Sequence, residues 1–314
     1  MEEGDGALES DTCQTVHRMN NEKCLLRRTS SSYNPTRMST FIHSSDPLSV
    51  SDWSSLQRTV SAVGNATIVR KFVQATEPMG AGTQTLPLDR LIGITEGYRG
   101  AAESPKIRIE ASPITGEIVP IIFKDFVIHW RDLAEARARC QPLSMAKAAA
   151  AASICARSEE LLAFYGSEAA GSRGLMNVEG RNVMNGLRWE KPGESFENFK
   201  AIRELLSSKG LTGPFAAVVH PEIYAAMHRV LVPSSVLEIT HVSDLLGGGV
   251  YQSALLAPGT GVAVSTGGQN LELAVSVDTS AAFLGATKMN LPFRVFKAIS
   301  LRILRVEAIC TFHR

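Results

Sequence analysis

Two neighbouring carboxylates are the residues in this chain whose type and spacing most suggest chemistry. Glu159 and Glu160 stand together in a helical stretch, and carboxylates of this kind hold iron in ferritin-like bundles. Those bundles add a histidine three residues after a glutamate, and neither glutamate has one here. We therefore expect the two side chains to lie on a solvated helix face, without an iron site.

An aromatic pair, His129 and Trp130, ends an apolar strand in the segment VIHWRDL. An indole can stack on a planar cofactor, so Trp130 is the residue to consider for that role. Aromatic side chains at a strand-to-helix junction more often pack inside the protein. We expect core packing and keep cofactor stacking as the alternative.

Common catalytic motifs are absent from the sequence. Glycine-rich stretches begin at Gly80, Gly247 and Gly259, but none completes a dinucleotide-binding or P-loop pattern. Ser265 lies outside a G-x-S-x-G elbow, and the seven histidines show no metal-binding spacing. We expect turns at the glycines, and neither a catalytic residue, a metal site nor a cofactor in the chain itself.

Composition describes a globular chain without a nucleic-acid or membrane partner. The 314 residues contain 32 basic and 31 acidic side chains, whereas a nucleic-acid-binding domain shows a basic patch. A net charge near zero suits a protein that associates with copies of itself. No apolar run approaches the ~20 residues of a membrane span, and the acidic first residues do not form a secretory signal.

The cysteines favour a reducing compartment, the cytoplasm. They are odd in number, scattered along the chain and free of any C-x-x-C pair, which argues against a disulfide framework. We expect reduced thiols at Cys13, Cys24, Cys140, Cys155 and Cys310.

The first third of the chain contains three segments that differ in composition and in apolar pattern. Residues 1–37 are polar and lack apolar periodicity, which predicts disorder. From Pro47 the spacing of Trp53, Leu56 and Val60 predicts a helix that breaks near Gly64. Residues 80–125 then alternate like a two-stranded arm, which is unstable alone and needs a partner such as another subunit.

The remainder predicts an α+β fold with mixed sheets. An alanine-rich helix begins at Ser144 as its cap and ends at Gly166, and its small side chains favour close approach by other elements. A helix over 195–209, the buried strand PFAAVV and a helix opening at Pro221 follow. The last long strand, FRVFKAISLRILRV, has apolar residues on both faces, as a central strand does.

Several blocks of sequence resemble the encapsulin shell proteins. They include PIIFKDFVIHWRDLAEAR, FYGSEAAGSRGLMNVEGR, GPFAAVVHPEIYAAMHRV and VSTGGQNLELAVSVDTSAAFLGA. The likeness runs in order from Met38 to Phe312, and it is strongest to shells whose cargo is ferritin-like. Residues 1–37 are extra relative to that family, as either a mis-assigned start or an added tail.

The resemblance implies the tailed-phage major capsid protein fold, of the Hong Kong 97 type. It divides the chain into the extension 1–37, an N-terminal helical arm 38–79, an E-loop 80–125, a P-domain with its spine helix 126–174, an A-domain 175–275 and C-terminal P-domain strands 276–314. Many copies would close into an icosahedral shell in the bacterial cytoplasm, and the E-loop would pair with a neighbouring subunit.

The resemblance also implies where cargo and small molecules meet the shell. A C-terminal peptide of the cargo would bind at Arg70, Lys71, Phe72, Gln74 and Ala281, with Phe72 as an apolar seat and Arg70 as a partner for a carbonyl or carboxylate. The alternative makes Phe72 ordinary core and Arg70 a solvated charge. The pore loop at the five-fold axis corresponds to Val232, Pro233, Ser234 and Ser235.

We therefore predict a self-assembling shell protein that encloses an iron-oxidising, ferritin-like cargo for iron storage and protection from oxidative stress. Its partners would be copies of itself and that cargo, and iron would belong to the cargo compartment. A tailed-phage capsid protein that packages DNA is the first alternative. A cofactor-binding enzyme that uses Trp130 is the second.

Overall fold

The computed structural model describes residues 47–86, 117–231 and 235–314. The predictions for residues 1–37, for most of the E-loop and for Val232, Pro233 and Ser234 lie outside these ranges. Among the described helices, none combines the length and the apolar character that crossing a membrane requires.

Six α-helices and fifteen strands make up the described residues. The helices are α1 (Val50–Gly64), α2 (Trp130–Ala138), α3 (Ala146–Tyr165), α4 (Glu194–Ser208), α5 (Pro221–Ala226) and α6 (Glu238–Leu246), with 3-10 turns at Val69–Lys71 and Val306–Ala308. The strands are β1 (Gln74–Ala75), β2 (Thr85–Leu86), β3 (Glu117–Ile118), β4 (Ile121–Ile128), β5 (Gly166–Ser167), β6 (Ser172–Arg173), β7 (Asn182–Met184), β8 (Phe215–Val219), β9 (Val230–Leu231), β10 (Val236–Leu237), β11 (Gly247–Gln252), β12 (Thr260–Ser265), β13 (Leu271–Phe283), β14 (Leu291–Ile303) and β15 (Ile309–His313).

The first sheet contains the two longest strands. Its order is β1-β13-β14-β4, so β14 is a central strand, as its apolar pattern predicts. Helices α1 and α3 pack together on one face of this sheet. Trp53 and Leu56 of α1 and Phe293 of β14 belong to the apolar cluster between them.

Strand β4 lies at one edge of the first sheet within the described part of the chain. Its residues alternate: Phe126 and Ile128 are buried towards the helices, whereas Ile121 and Phe123 are more than half exposed on the other face. We expected Ile121 and Phe123 in the arm, but both pair with β14. The arm is represented by β2 and β3, which pair at its base.

The second sheet has the order β11-β8-β12-β15-β7. All five residues of β8 are buried, as the predicted strand PFAAVV requires, and α5 begins at Pro221 as expected. Helices α4 and α6 cover this sheet, and α4 directs Phe199, Ile202 and Leu206 into its core.

The predicted boundary at 275/276 and the predicted placement of β15 differ from the course of the strands. The boundary at 275/276 falls inside β13, which continues from Leu271 to Phe283. The C-terminal strand β15, placed by the resemblance with residues 276–314 in the P-domain, pairs with β12 and β7 in the second sheet. A shared apolar cluster, with Val218 and Val264 from one sheet and Leu273 and Ile299 from the other, connects the two sheets.

Small residues let the helices approach the first sheet closely. Ala148, Ala151 and Ala152 of α3 are buried, as the alanine-rich sequence predicts. A Cβ at Gly64, the last residue of α1, would lie 2.3 Å from Thr279 Cγ2 of β13. Helix α3 ends at Gly166, as expected, but its N-cap is Met145, because Ser144 stands one residue too early.

Candidate functional site: the turn after helix α1 and the surface around it

Glu159 is buried, which contradicts the expected solvated face for this residue. Its side chain is 0% exposed, because this side of α3 faces β14. One carboxylate oxygen accepts hydrogen bonds from Thr67 Oγ1 at 2.8 Å and Arg70 Nε at 2.9 Å. The other oxygen lies 2.5 Å from Nζ of Lys297, which is equally buried. The carboxylate therefore joins the turn after α1 to the centre of the first sheet.

Glu160 binds the backbone of the same turn. Its Oε1 accepts a hydrogen bond from the Ile68 N–H at 2.7 Å, so the side chain is partly buried instead of solvated. The two adjacent carboxylates of α3 therefore hold one short segment, Thr67 to Arg70, by side-chain and backbone contacts.

Arg70 forms ion pairs with two carboxylates of this chain. Besides Glu159, its Nη2 bonds to Asp278 Oδ1 at 3.1 Å. Burial disfavours its charged form, but the hydrogen bond and the charges of Glu159 and Asp278 outweigh burial and hold the pKa of Arg70 above its ordinary value. The guanidinium is neither a solvated surface charge nor an unpaired cation.

Phe72 is part of the apolar core in this structure. Its ring stacks on Tyr251 with centroids 6.1 Å apart, and the side chain is 7% exposed. Lys71 is exposed, and its Nζ lies 5.7 Å from the centre of the Tyr251 ring. Gln74, at the start of β1, is also exposed. Lys71 and Gln74 are therefore the predicted cargo residues whose side chains reach the surface.

Ala281 lies in a different apolar cluster from Phe72. Its side chain is fully buried beneath α1. Its backbone N–H donates to Gln57 Oε1 at 3.1 Å, and its carbonyl accepts from Gln57 Nε2 at 2.7 Å. Arg70, Lys71, Phe72 and Gln74 follow one another along the turn, whereas Ala281 packs in the cluster beneath α1, and its place in the cargo site stays a prediction.

Helix α3, which holds the turn through Glu159 and Glu160, also carries an exposed apolar stripe. Ile154, Leu161 and Tyr165 follow one face of the helix and are each more than a third exposed. The hydroxyl of Tyr165 donates to the Leu255 carbonyl at 3.0 Å, and Leu255 packs against the same apolar cluster as Tyr251 and Phe72. We call Lys71, Gln74, Leu161 and Tyr165 the turn surface.

Trp130 is exposed, so the expectation that it packs in the core is wrong. It is the first residue of α2, its side chain is 43% exposed, and the Arg131 guanidinium carbon lies 5.4 Å from its ring centre. His129 Nδ1 lies 3.1 Å from Asn290 Oδ1, which holds the imidazole against the loop before β14. No described contact of Trp130 tests the stacking alternative.

Of the predicted pore-loop residues, Val232, Pro233 and Ser234 lie outside the described ranges. The antiparallel strands β9 and β10 flank the loop, and Ser235 is the described member, with a left-handed φ of 56°. A cavity of about 1040 Å³ lies beside these strands, lined among others by Arg188, Lys191 and His241.

The cysteines differ from the expectation at one position. Cys155 and Cys310 are free thiols, both buried. Cys140 is disulfide-bonded, in contrast to the reduced state that the scattered spacing predicted. Burial raises the pKa of the Cys310 thiol to about 12.

The sequence analysis did not predict the buried ion pair between Lys297 and Glu159. A signal was present in β14, where Phe293, Val295, Ile299 and Leu301 alternate on the buried face and Lys297 occupies the middle of that series. A lysine at such a position needs a buried partner, because an unpaired charge is costly away from water. The helix that crosses this strand supplies the partner.

Comparisons with known proteins identify the family. A family model described as an encapsulating protein for peroxidase matches residues 38–300. The type 1 encapsulin shell protein EncA of Myxococcus xanthus is 40% identical over 273 residues, which cover 86% of this chain and 94% of that protein. The chain belongs to the encapsulin shell protein family. Shells of this family are assemblies of many copies, which fits the apolar side chains that Ile121 and Phe123 of β4 expose on the outer face of the first sheet.

Two further relatives of this encapsulin are fusion proteins. A diheme-cytochrome-encapsulin shell fusion protein of Kuenenia stuttgartiensis is 35% identical over 267 residues, which cover 83% of this chain and 72% of that protein. A ferritin-like-encapsulin shell fusion protein of Pyrococcus furiosus is 22% identical over 192 residues, 61% of this chain and 51% of that protein.

Solved structures confirm the α+β capsid fold. The virus-like particle from Pyrococcus furiosus matches with a TM-score of 0.67 at 19% identity, covering 83% of this encapsulin and 99% of that chain. The capsid of Myoviridae phage XM1 matches with a TM-score of 0.51 at 11% identity, covering 78% and 90%. The encapsulin shell and the tailed-phage capsid therefore share this architecture.

Proposed function

We propose that this encapsulin shell encloses a ferritin-like protein in the bacterial cytoplasm and serves iron storage and protection from oxidative stress. The observation that carries the proposal is the family membership together with the relative from Pyrococcus furiosus, whose name records a ferritin-like protein fused to an encapsulin shell. In this proposal the shell contributes no catalytic residue or cofactor, and iron belongs to the cargo compartment.

A haem protein is the second candidate cargo. The family model is described by its peroxidase cargo, and the Kuenenia stuttgartiensis relative carries a diheme cytochrome in its name. A haem cargo would serve electron transfer or peroxide removal, and it would share the same shell architecture. The two candidates differ in what copurifies with the shell.

We place the cargo peptide on the turn surface. Lys71 and Gln74 are exposed donors, and Leu161 and Tyr165 are exposed apolar side chains of α3, the helix that holds the turn through Glu159 and Glu160. Of the residues that the family resemblance implies, Phe72 then supports this surface through its stack with Tyr251. The peptide would contact Ala281 only where α1 does not cover it. Gln57 of α1 already forms hydrogen bonds with the backbone N–H and carbonyl of Ala281.

The pore-loop residues Val232, Pro233, Ser234 and Ser235 are proposed as the route for small ions. They carry no charge, so a ring of such loops gives a polar aperture with little electrostatic selection. Iron ions would pass, whereas proteins would be excluded.

Purification of intact shells from cells that make the protein at its natural level tests the cargo proposal. We expect mass spectrometry to find a helical ferritin-like protein with a short C-terminal tail, and elemental analysis to find iron. A stoichiometric Soret absorption band would favour the haem cargo. Packaged DNA without a protein cargo would contradict both and favour a capsid role.

A further inference from the structure

Four charged side chains connect the turn after α1 to α3, β13 and β14. Glu159 accepts from Thr67 and Arg70 on the turn and from Lys297 on β14. Asp278 on β13 accepts a second hydrogen bond from Arg70. We infer that Glu159 is a positioning residue for the turn surface, and that it acts through Thr67 and Arg70. The cargo part of the inference rests on the function proposed above.

The network fixes the segment at both ends. Lys297 Nζ, besides its contact with Glu159, donates to the carbonyl of Gly64 at 2.6 Å, where α1 ends. Arg70 is anchored six residues later through Nε and Nη2. Residues 64–70 are thus bridged by a single buried charge pair, with Glu160 holding the Ile68 N–H between them.

The charges of the network around Arg70 balance within this chain. The positive charges of Arg70 and Lys297 are matched by those of Glu159 and Asp278, and Glu160 adds a further negative charge nearby. A cargo carboxylate would therefore meet no excess of positive charge at this point. Lys71, by contrast, is exposed, and its Nζ lies over the face of the Tyr251 ring.

Apolar packing holds the segment without setting its orientation. Val69, Phe72 and Val73 are buried in the cluster between the two sheets. Hydrophobic burial is non-directional, whereas hydrogen bonds weaken steeply when they are misaligned. Loss of the Glu159 carboxylate should therefore leave the segment attached to the core but free to change the direction in which Lys71 points, whereas Gln74 stays fixed by the pairing of β1 with β13.

Hydrogen exchange on empty assembled shells tests this inference without cargo. The key variant combines Glu159→Gln with Lys297→Met, because Glu159→Gln alone leaves a buried lysine without its countercharge, and an apolar replacement of a buried ion pair is often tolerated. We expect exchange over residues 64–73 to accelerate by about tenfold or more, as in a local opening, while β8 amides keep their wild-type rates. Assembled shells with unchanged exchange over 64–73 would overturn the inference.

Arg70→Lys provides a second variant if the double variant does not assemble. Lysine keeps the positive charge but cannot reproduce the planar fork that reaches Glu159 and Asp278 together. We expect faster exchange over 64–73 and faster tryptic cleavage within that segment. Wild-type behaviour in Arg70→Lys would overturn the positioning role, because charge alone would then suffice.

Loading of the cargo protein identified in natural shells separates the two hypotheses. Faster exchange with about tenfold lower loading in Arg70→Lys supports both the positioning role and the cargo surface. Faster exchange with wild-type loading supports the positioning role and contradicts the cargo surface. Wild-type exchange contradicts the positioning role whatever the loading.

Discussion

Gln57 pairs with Ala281 as a neighbouring strand would, accepting from its backbone N–H and donating to its carbonyl. Strand β1 pairs with the beginning of β13 only, at Glu272 and Leu273, so the far end of β13 lacks a strand on that side in the described residues. Helix α1 covers this end, and Asn65 continues the cover by bonding to Asp278 and Thr279. A single helix thus protects an open sheet edge.

Replacing Gln57 with Ala should destabilise the subunit, because it leaves the Ala281 N–H and carbonyl unpaired beneath a helix. Unsatisfied buried polar groups cost about 1–3 kcal/mol each, and partial access to water reduces the cost here. The denaturant midpoint of shells at equal subunit concentration measures the effect. Arg58→Ala, at the exposed neighbouring position on α1, is the control and should change stability by less than about 0.5 kcal/mol. Equal midpoints for the two variants would contradict the role of Gln57.

Replacing Lys71 with Glu should reduce cargo loading if the turn surface binds the cargo peptide. Charge reversal at an exposed anchor removes a donor and repels acidic groups, and a loss of about 1.4 kcal/mol weakens binding about tenfold. Quantitative mass spectrometry gives the cargo-to-shell ratio. Lys200→Glu on α4, an exposed lysine far along the chain in the layer over the second sheet, is the matched control. Full loading of Lys71→Glu shells would exclude this surface.

Replacing Phe72 with Asp should disrupt folding, not cargo binding alone. The side chain lies in the cluster between the two sheets, where a carboxylate would lose its hydration. We expect insoluble protein or failed assembly, whereas Phe72→Leu should assemble. Electron microscopy of both variants decides, and well-formed Phe72→Asp shells would show that this position is accessible to solvent.

The Cys310 thiol should resist alkylation in native shells and weaken their stability at alkaline pH. Burial raises its pKa from an ordinary value of 9.0 to about 12, so between these values the unfolded chain releases a proton that the folded chain retains. The stability that this thiol contributes is therefore complete below pH 9 and declines as pH rises towards 12. Cys310→Ala should flatten that decline in denaturant titrations. Rapid iodoacetamide labelling of native shells at pH 8 would contradict the burial argument.

Substitutions at Ser234 test the proposed pore. A tryptophan there should narrow the aperture and slow iron uptake, and an aspartate should accelerate cation entry, more strongly at low ionic strength where screening is weak. Iron oxidation followed by absorbance, in shells matched for cargo content, measures both effects. Unchanged rates in both variants would show that this loop is not the principal gate.

The sequence predicted those parts of the fold that local patterns determine. The spacing of Trp53 and Leu56 located α1, and the run of apolar residues located β8, because periodicity follows directly from burial on one or both faces. The central place of β14 followed from the same reasoning. The family resemblance supplied the capsid fold, which local patterns leave open.

Contacts between residues that are far apart in the chain could not be predicted from the sequence. In the sequence, Glu159 looks like any surface glutamate of an alanine-rich helix. Its buried partner, Lys297, lies 138 residues later in the chain. Trp130 resembles a core residue until the start of α2 turns its indole outward. In the same way, β15 joins the second sheet through a partner strand that the order of the chain does not reveal.

Because β4 is an edge strand of the described sheet, assembly of the shell competes with non-specific association of subunits. Within the described residues β4 has β14 as its neighbour on one side only, and the side chains of Ile121 and Phe123 are exposed beside that edge. Edge strands accept strands from other molecules without regard to their identity. Lys124 and Asp125 interrupt the apolar run and act as gatekeepers, but the chain's net charge of +1 provides little mutual repulsion. The rate of synthesis relative to the rate of shell closure should therefore decide how much of the protein reaches particles and how much reaches aggregates.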